Sequence, residues 1–309
     1  MEFRPYIGSR TTEHYGSQPG QEHTIPTYGS DRSHTVEYRF NRFGYRGSEL
    51  REDAQRVIYV CGCSHTFGTG LAEKDAWPSG FAAKYAAHHG VGPDDLCLLN
   101  FSQGGGSNRY ITRTLIDQCA VHKPNMVIAH FSEIGRTEYI LEPGLFTGWV
   151  PHSDSRSVAA VGPWQNASWL KRQLWLRRDF RPVDRHAARH ILRWTRAYYS
   201  GAYRLNRAVY ETLQDMLTLQ LYCQRHDIDF MMSCVEYDRL VSQLDNVAIR
   251  ILWDLIDHDR LTAFAVSDAS SRVDRAADDG HPGPKSHQLF VEKLWESYRE
   301  AQSSSNASS

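Results

Sequence analysis

The sequence predicts a three-layer α/β/α sandwich on a five-stranded, mostly parallel sheet, with an insertion after the third strand. Three observations predict it. Five short apolar runs, Val57–Cys61, Leu96–Phe101, Met126–Phe131, Ile228–Cys234 and Leu261–Val266, have the length and composition of buried strands. Helical patterns near 75–89, 106–121, 202–226 and 243–258 separate or follow them, and a last one lies near 285–301; strands alternating with helices argue for a parallel sheet covered on both faces. The 309 residues are 41% hydrophobic and 12% aromatic, ample for one large core.

Taken in order, residues 1–35 are rich in Gly, Ser, Thr, His and Pro without clear period and read as an extended arm. In "HTVEYRFNRFGYRG", Val36, Tyr38 and Phe40 alternate with polar residues, predicting a short edge strand that ends in a turn at Gly44. The main domain is expected over 36–302, and the tail 303–309, "SSSNASS", is expected to be disordered.

The alternation breaks once, over about 135–200. Five of the eight tryptophans fall there (Trp149, Trp164, Trp169, Trp175, Trp194), and between 141 and 200 ten Lys or Arg stand against four acids. An insertion at the carboxyl end of a strand sits where doubly wound sheets keep their ligand crevice. It reads either as a lid or substrate wall, or as a helical add-on with core tryptophans and a solvated basic face.

A formal net charge of −1 gives no global attraction to nucleic acid or to an anionic membrane, and neither is expected as a partner. No apolar span approaches the roughly 20 residues of a membrane helix. The opening stretch lacks an apolar signal core, so the expectation is a cytoplasmic protein or one carried inside a particle. Cys61, Cys63, Cys97, Cys119, Cys223 and Cys234 mostly lie in apolar runs and read as free buried thiols. Cys61 and Cys63 lack a second pair at zinc spacing, and His186 and His190, four apart in "RHAARH", lack a third ligand; no metal and no cofactor are expected.

The stretch "VIYVCGCSHTFGTGL", Val57 to Leu71, drives an apolar strand into a small, polar, turn-forming segment that presents Ser64. A serine hydroxyl needs a neighbouring base to become a nucleophile. His281, in "DRAADDGHPGPKSHQLF", follows the fifth strand, and in a parallel sheet that loop opens on the same edge as the loop after the first. Asp278 and Asp279 both precede it closely enough to orient its ring.

Three blocks add a resemblance. "GCSHTFGTGLAEKDAWPSGFAAKY" resembles the first block of the SGNH/GDSL hydrolase superfamily, with Cys63 where that family's GDS form has Asp, and "NRFGYRGSEL" is similar to the segment that often precedes it. "LLNFSQGGGSNRY" is similar to the second block and "DDGHPGPKSH" to the last. The resemblance runs in order from about 41 to 296 and leaves the insertion uncovered. It implies a flavodoxin-like strand order and a serine esterase, with Ser64 as nucleophile, His281 as base and Asp278 as orienter, Asp279 being the alternative.

The same resemblance makes the backbone N–H groups of Ser64 and Gly105 the oxyanion donors, with Gly104 the neighbouring choice. The third block departs: where the family brings an Asn after the third strand, this chain has "MVIAHFSEIGRTEY", leaving Ser132 or Arg136 as candidate donors. Asn108, Arg136, Trp164 and Trp169 are the candidate substrate contacts. The implied substrate is a small-molecule or carbohydrate ester, with O-acetyl groups on carbohydrate preferred because a tryptophan-rich wall suits sugar stacking. An O-acyltransferase using the same residues, or a non-catalytic module that retains the scaffold, are the alternatives.

Overall fold

Tyr59 and Cys61 turn to one face of the first predicted strand and Ile58 and Val60 to the other, and all four are fully buried, so this strand needs a helical layer on each side. The structure, a computed structural model, supplies both. It describes residues 23–28, 35–141, 157–161, 197, 201–268 and 272–307.

The strands are β1 (His23–Tyr28), β2 (Thr35–Phe40), β3 (Arg56–Gly62), β4 (Leu96–Asn100), β5 (Met126–Phe131), β6 (Thr137–Leu141), β7 (Ser157–Val161), β8 (Asp229–Cys234) and β9 (Leu261–Thr262). The helices are α1 (Ser64–Phe67), α2 (Trp77–His89), α3 (Asn108–Cys119), α4 (Leu205–Arg225), α5 (Tyr237–Val241), α6 (Val247–Asp254) and α7 (Pro284–Ala307). The main sheet runs β4-β3-β5-β8-β9 with every pair parallel. Counting only these five strands in chain order, this is 2-1-3-4-5, the flavodoxin-like order. The predicted fold class is therefore the observed one, and the sheet is wholly parallel.

Tyr110, Ile111 and Leu115 of α3 and Val209, Leu213 and Met216 of α4 cover the face that carries Tyr59, Val127, Ala129 and Phe230. Trp77, Phe81 and Tyr85 of α2 and Phe290, Leu294 and Tyr298 of α7 cover the other, against Ile58, Val60, Ile128 and Met231. The chain steps from β3 to β4 on one side and then back across β3 to β5 on the other, so the crevice at the carboxyl ends of β3 and β5 is the topological switch point of the sheet.

Several boundaries differ from expectation for local reasons. Residues 23–28, placed in an extended arm, pair antiparallel with β2, and bridges from Phe40 to Arg46 and from Arg46 to Asn100 tie the hairpin to β4. The fifth strand stops at Thr262 because side chains take the next N–H groups: Thr262 Oγ1 accepts from Phe264, and Asp268 Oδ2 accepts from Ala265. The helix expected over 243–258 begins only at Val247, where Asn246 Oδ1 accepts from the Ala248 and Ile249 N–H groups and caps it. Residues 303–307, expected in a disordered tail, continue α7.

Of the insertion, β6 and β7 pair antiparallel. Trp149, Trp164, Trp169, Trp175, Trp194, His186 and His190 lie outside the described residues. All six cysteines are free and buried, and burial pushes the Cys223 and Cys234 thiols up to about 12, so they stay protonated. Among the described residues no cluster of three or more metal-ligating side chains occurs, and no helix is long and apolar enough to cross a membrane.

Candidate active site

Ser64 is the first residue of α1, immediately beyond β3, and that sharp strand-to-helix exit depends on Gly62. A Cβ there would lie 2.1 Å from the Thr66 hydroxyl oxygen and 3.0 Å from the His130 carbonyl oxygen. The four-residue helix is too short to hold itself. Its support comes from outside: Arg46, fully buried, donates through Nη1 to the carbonyls of Phe67 and Gly68 and through Nη2 to that of Leu71, capping the end of α1. Its guanidinium also lies 4.4 Å from the Tyr38 ring centroid and 5.1 Å from that of Phe67. Asn100 Nδ2 donates to the Thr66 carbonyl at 2.9 Å, and the Tyr38 hydroxyl accepts from Gly70 N–H at 2.7 Å. These three side chains fix the backbone that presents Ser64.

The turn after β4 packs against the same corner. Gln103 N–H donates to the Gly62 carbonyl at 3.2 Å, and Gly105 takes φ +78°, a left-handed conformation that glycine adopts without strain. Among the described residues, the backbone N–H groups of Ser64, Gly104 and Gly105 have no hydrogen-bond partner. Unpaired backbone donors beside a serine are the elements of an oxyanion site.

His281 sits in a tight hairpin that links β9 to α7: Ala276 N–H donates to the His281 carbonyl, and Arg275 bridges Pro282. Asp274 pins the far side by accepting from the N–H groups of Lys285 and Ser286 at the start of α7. Ala277 N–H donates to the Gly70 carbonyl, so the hairpin docks on the loop that follows α1. The His281 and His65 rings meet edge to face at 5.6 Å between centroids.

Asp278 Oδ2 and His281 Nδ1 are 2.5 Å apart, while Oδ1 accepts from the backbone N–H groups of Gly280 and His281. Burial alone would raise the Asp278 carboxyl, but the bonds from the His281 ring and from the two N–H groups outweigh it and hold the acid below its usual range. Asp279 is exposed, at φ +57°. The one side-chain hydrogen bond of His281 goes to Asp278 Oδ2, and among the described residues none joins its ring to the Ser64 hydroxyl; catalytic bonds of that kind commonly tighten only when substrate binds.

The segment after β5 is arranged differently from expectation. Ser132 is fully buried, and both its N–H and its hydroxyl donate to Asn108 Oδ1, at 2.7 and 3.1 Å. Asn108 is 2% exposed and spends its Nδ2 on the Thr212 hydroxyl of α4. Both side chains lie beneath the site surface, as a clasp joining α3, α4 and the exit of β5. Arg136 directs Nε and Nη2 to Glu133 Oε2, at 3.2 and 3.1 Å. Trp164 and Trp169, the remaining candidate contacts, are outside the described residues.

Sequence reasoning gave no role to Arg46, Tyr38 or Asn100. Their partners lie 21 to 34 residues away, beyond any local pattern, although the arginine does stand in the quoted "NRFGYRG".

No family model matches the chain, and no curated protein matches it. Among solved structures it is similar to the psychrotrophic esterase EstA from Pseudoalteromonas sp., at 14% identity and a TM-score of 0.41, over 79% of this chain and 97% of that one. It is also similar to TesA (11%, 0.40, 80% and 99%) and to AlinE4, an SGNH-hydrolase family esterase (16%, 0.34, 82% and 98%). These likenesses are distant, and the chemistry of the site follows from its own geometry.

Proposed function

We propose that this chain is a serine ester hydrolase with Ser64 as nucleophile, His281 as base and Asp278 as its orienter. The observation that carries the reading is the Asp278–His281 pair, held in a hairpin docked on the loop of the Ser64 helix. Ser64 Oγ attacks the ester carbonyl carbon while His281 Nε2 takes its proton, and Asp278 holds Nδ1–H and stabilises the imidazolium. The Ser64 and Gly105 N–H groups receive the oxyanion. Collapse breaks the ester C–O bond, with His281 returning the proton to the departing alcohol. Water, deprotonated by His281, then releases the acid from the acyl-enzyme.

O-acetyl groups on carbohydrate are the preferred substrates, on the strength of the tryptophan-rich sequence between 149 and 194. Turnover of p-nitrophenyl acetate and of acetylated sugars by the wild type, and its loss in Ser64→Ala with circular dichroism unchanged, is the expected result. Turnover retained in the alanine variant would overturn the mechanism.

A further inference from the structure

Ser64 and His281 stand on two pieces of backbone that are each closed on themselves. The Ser64 carbonyl accepts from the N–H groups of Gly68 and Thr69 at 3.0 and 3.1 Å, so the chain from Ser64 to Thr69 is one piece and Gly70 comes next after it. In the hairpin, Ala276 N–H donates to the His281 carbonyl at 2.9 Å and Asp279 N–H to the Ala276 carbonyl at 3.0 Å, while Asp278 Oδ1 accepts from Gly280 and His281. The distance between nucleophile and base therefore depends on how these two pieces are seated on each other.

They are seated at Gly70. Its carbonyl accepts from Ala277 N–H at 3.1 Å and its N–H donates to the Tyr38 hydroxyl at 2.7 Å, so both of its backbone polar groups are spent. The seam has no room for a side chain. A Cβ on Gly70 would lie 2.9 Å from Ala276 Cβ, 3.0 Å from Asp278 Oδ1 and 3.1 Å from Asp278 N, whereas carbon atoms in contact rest about 3.5 to 4.0 Å apart. Ala276 Cβ and Asp278 N are fixed by the backbone, and no change of rotamer moves them. The turn would have to back away whole, by roughly 0.6 to 1.1 Å at Ala276. Asp278 and His281 are bonded to each other inside that turn and would travel together, so the quantity that changes is their separation from Ser64.

We propose that Gly70 is a positioning residue for the hydrolysis: it acts through His281, and its missing side chain sets the gap across which the His281 ring reaches the Ser64 hydroxyl. This rests on the serine esterase reading and adds to it the residue that brings base to nucleophile. The edge-to-face contact of the His65 and His281 rings is a second touching point between the same two pieces.

Gly70→Ala should lower kcat on p-nitrophenyl acetate about 10²-fold, since a misplacement near 1 Å costs on that order. Gly70 also has φ +77°, where an alanine is strained whatever the space, and that strain would act on the Ser64 loop with or without the base. The decisive readout is therefore a double-mutant cycle with His281→Ala, followed by the rate of fluorophosphonate labelling at Ser64. Gly70→Ala is expected to slow labelling about 10²-fold when His281 is present and less than about threefold when it is absent, as coupled residues require.

Equal slowing in both backgrounds, or none with His281 present, overturns the positioning role while leaving the esterase standing. Absence of labelling and of ester turnover in the wild type overturns the esterase itself. If Gly70→Ala does not fold, Ala276→Val is read in the same cycle with the same two outcomes, because it wedges the seam from the hairpin side without placing a side chain at a left-handed position.

Discussion

The two edges of the sheet differ in how their polar groups are spent. At the amino edge a cavity of about 650 Å³ opens among Arg56, Lys123, Asp229, Arg260 and Gln302. Its charges largely serve one another: Arg260 meets Asp229 Oδ1 at 2.6 Å, Gln302 Nε2 donates to Asp229 Oδ2 at 2.7 Å, and Lys123 faces Asp227 at 3.9 Å, with buried His89 Nε2 the exception. At the carboxyl edge, among the described residues, the Ser64 and Gly105 N–H groups have no hydrogen-bond partner in the corner where the hairpin of the Asp278-bound His281 docks. The difference is one of spending: side-chain charges paired with one another at the amino edge, and backbone donors without partners among the described residues at the carboxyl edge, where the proposed nucleophile and base stand.

The largest effect that sharpens this contrast is expected at the histidine hairpin. Asp278→Asn should lower kcat by a factor of about 10 to 10⁴, the upper end being what a tautomer error costs in a Ser-His-Asp triad. Asp279→Asn should cost far less, because that side chain is exposed on a left-handed turn residue. Steady-state kinetics on any accepted ester read both; a crippled Asp279 variant beside a healthy Asp278 variant would exchange their roles.

Arg46→Ala comes next. It removes three bonds to the carbonyls that close α1 and leaves them buried, so a loss of about 3 kcal/mol or more is expected in urea unfolding. Displacement of Ser64 should also lower kcat by roughly 10² at temperatures where the variant is still folded. Unchanged kcat would show that Asn100 and Tyr38 suffice to hold the helix.

A third prediction concerns acid. Burial drives the pKa values of His65, His130 and His287 down to about 4, 3 and 3, and the three repel one another's protons. Each folded value lies below the ordinary unfolded one of about 6.5, so between them the unfolded chain binds more protons. Their contribution to stability is complete above pH about 6.5 and falls as pH drops toward 4. Thermal unfolding at pH 7, 6, 5 and 4 should show Tm falling steadily across that window. His130→Phe, which empties one position of the cluster and its 2.5 Å contact with Ser233, should flatten the slope. A Tm independent of pH between 6.5 and 4 would contradict the buried neutral state.

The smallest effect on activity is expected from the amino edge. Arg260→Ala breaks a pair that is 13% and 24% exposed and should cost about 1 to 3 kcal/mol of stability with kcat unchanged. A large fall in kcat there would break the contrast between the two edges.

Much of this architecture was legible in the sequence because it is local. β3, β4 and β5 are continuous apolar runs, and the parallel order follows from helices between strands. The positions of Ser64 and His281 were legible because each stands in a turn-forming segment at a strand exit, whereas the contact of the His281 ring with Asp278, beside an exposed Asp279 at φ +57°, was not. What the pattern did not carry is long-range or subtractive. Arg46 acts on carbonyls 21 to 25 residues away. The hydroxyl of Ser132 is consumed by Asn108, 24 residues away, and a sequence does not show that a donor has been spent.

The proposed triad is tested most directly by fluorophosphonate labelling of the whole chain followed by peptide mapping. The account predicts a single adduct on Ser64, lost in Ser64→Ala and slowed in His281→Ala. No adduct, or one on another residue with Ser64 unmodified, would contradict it.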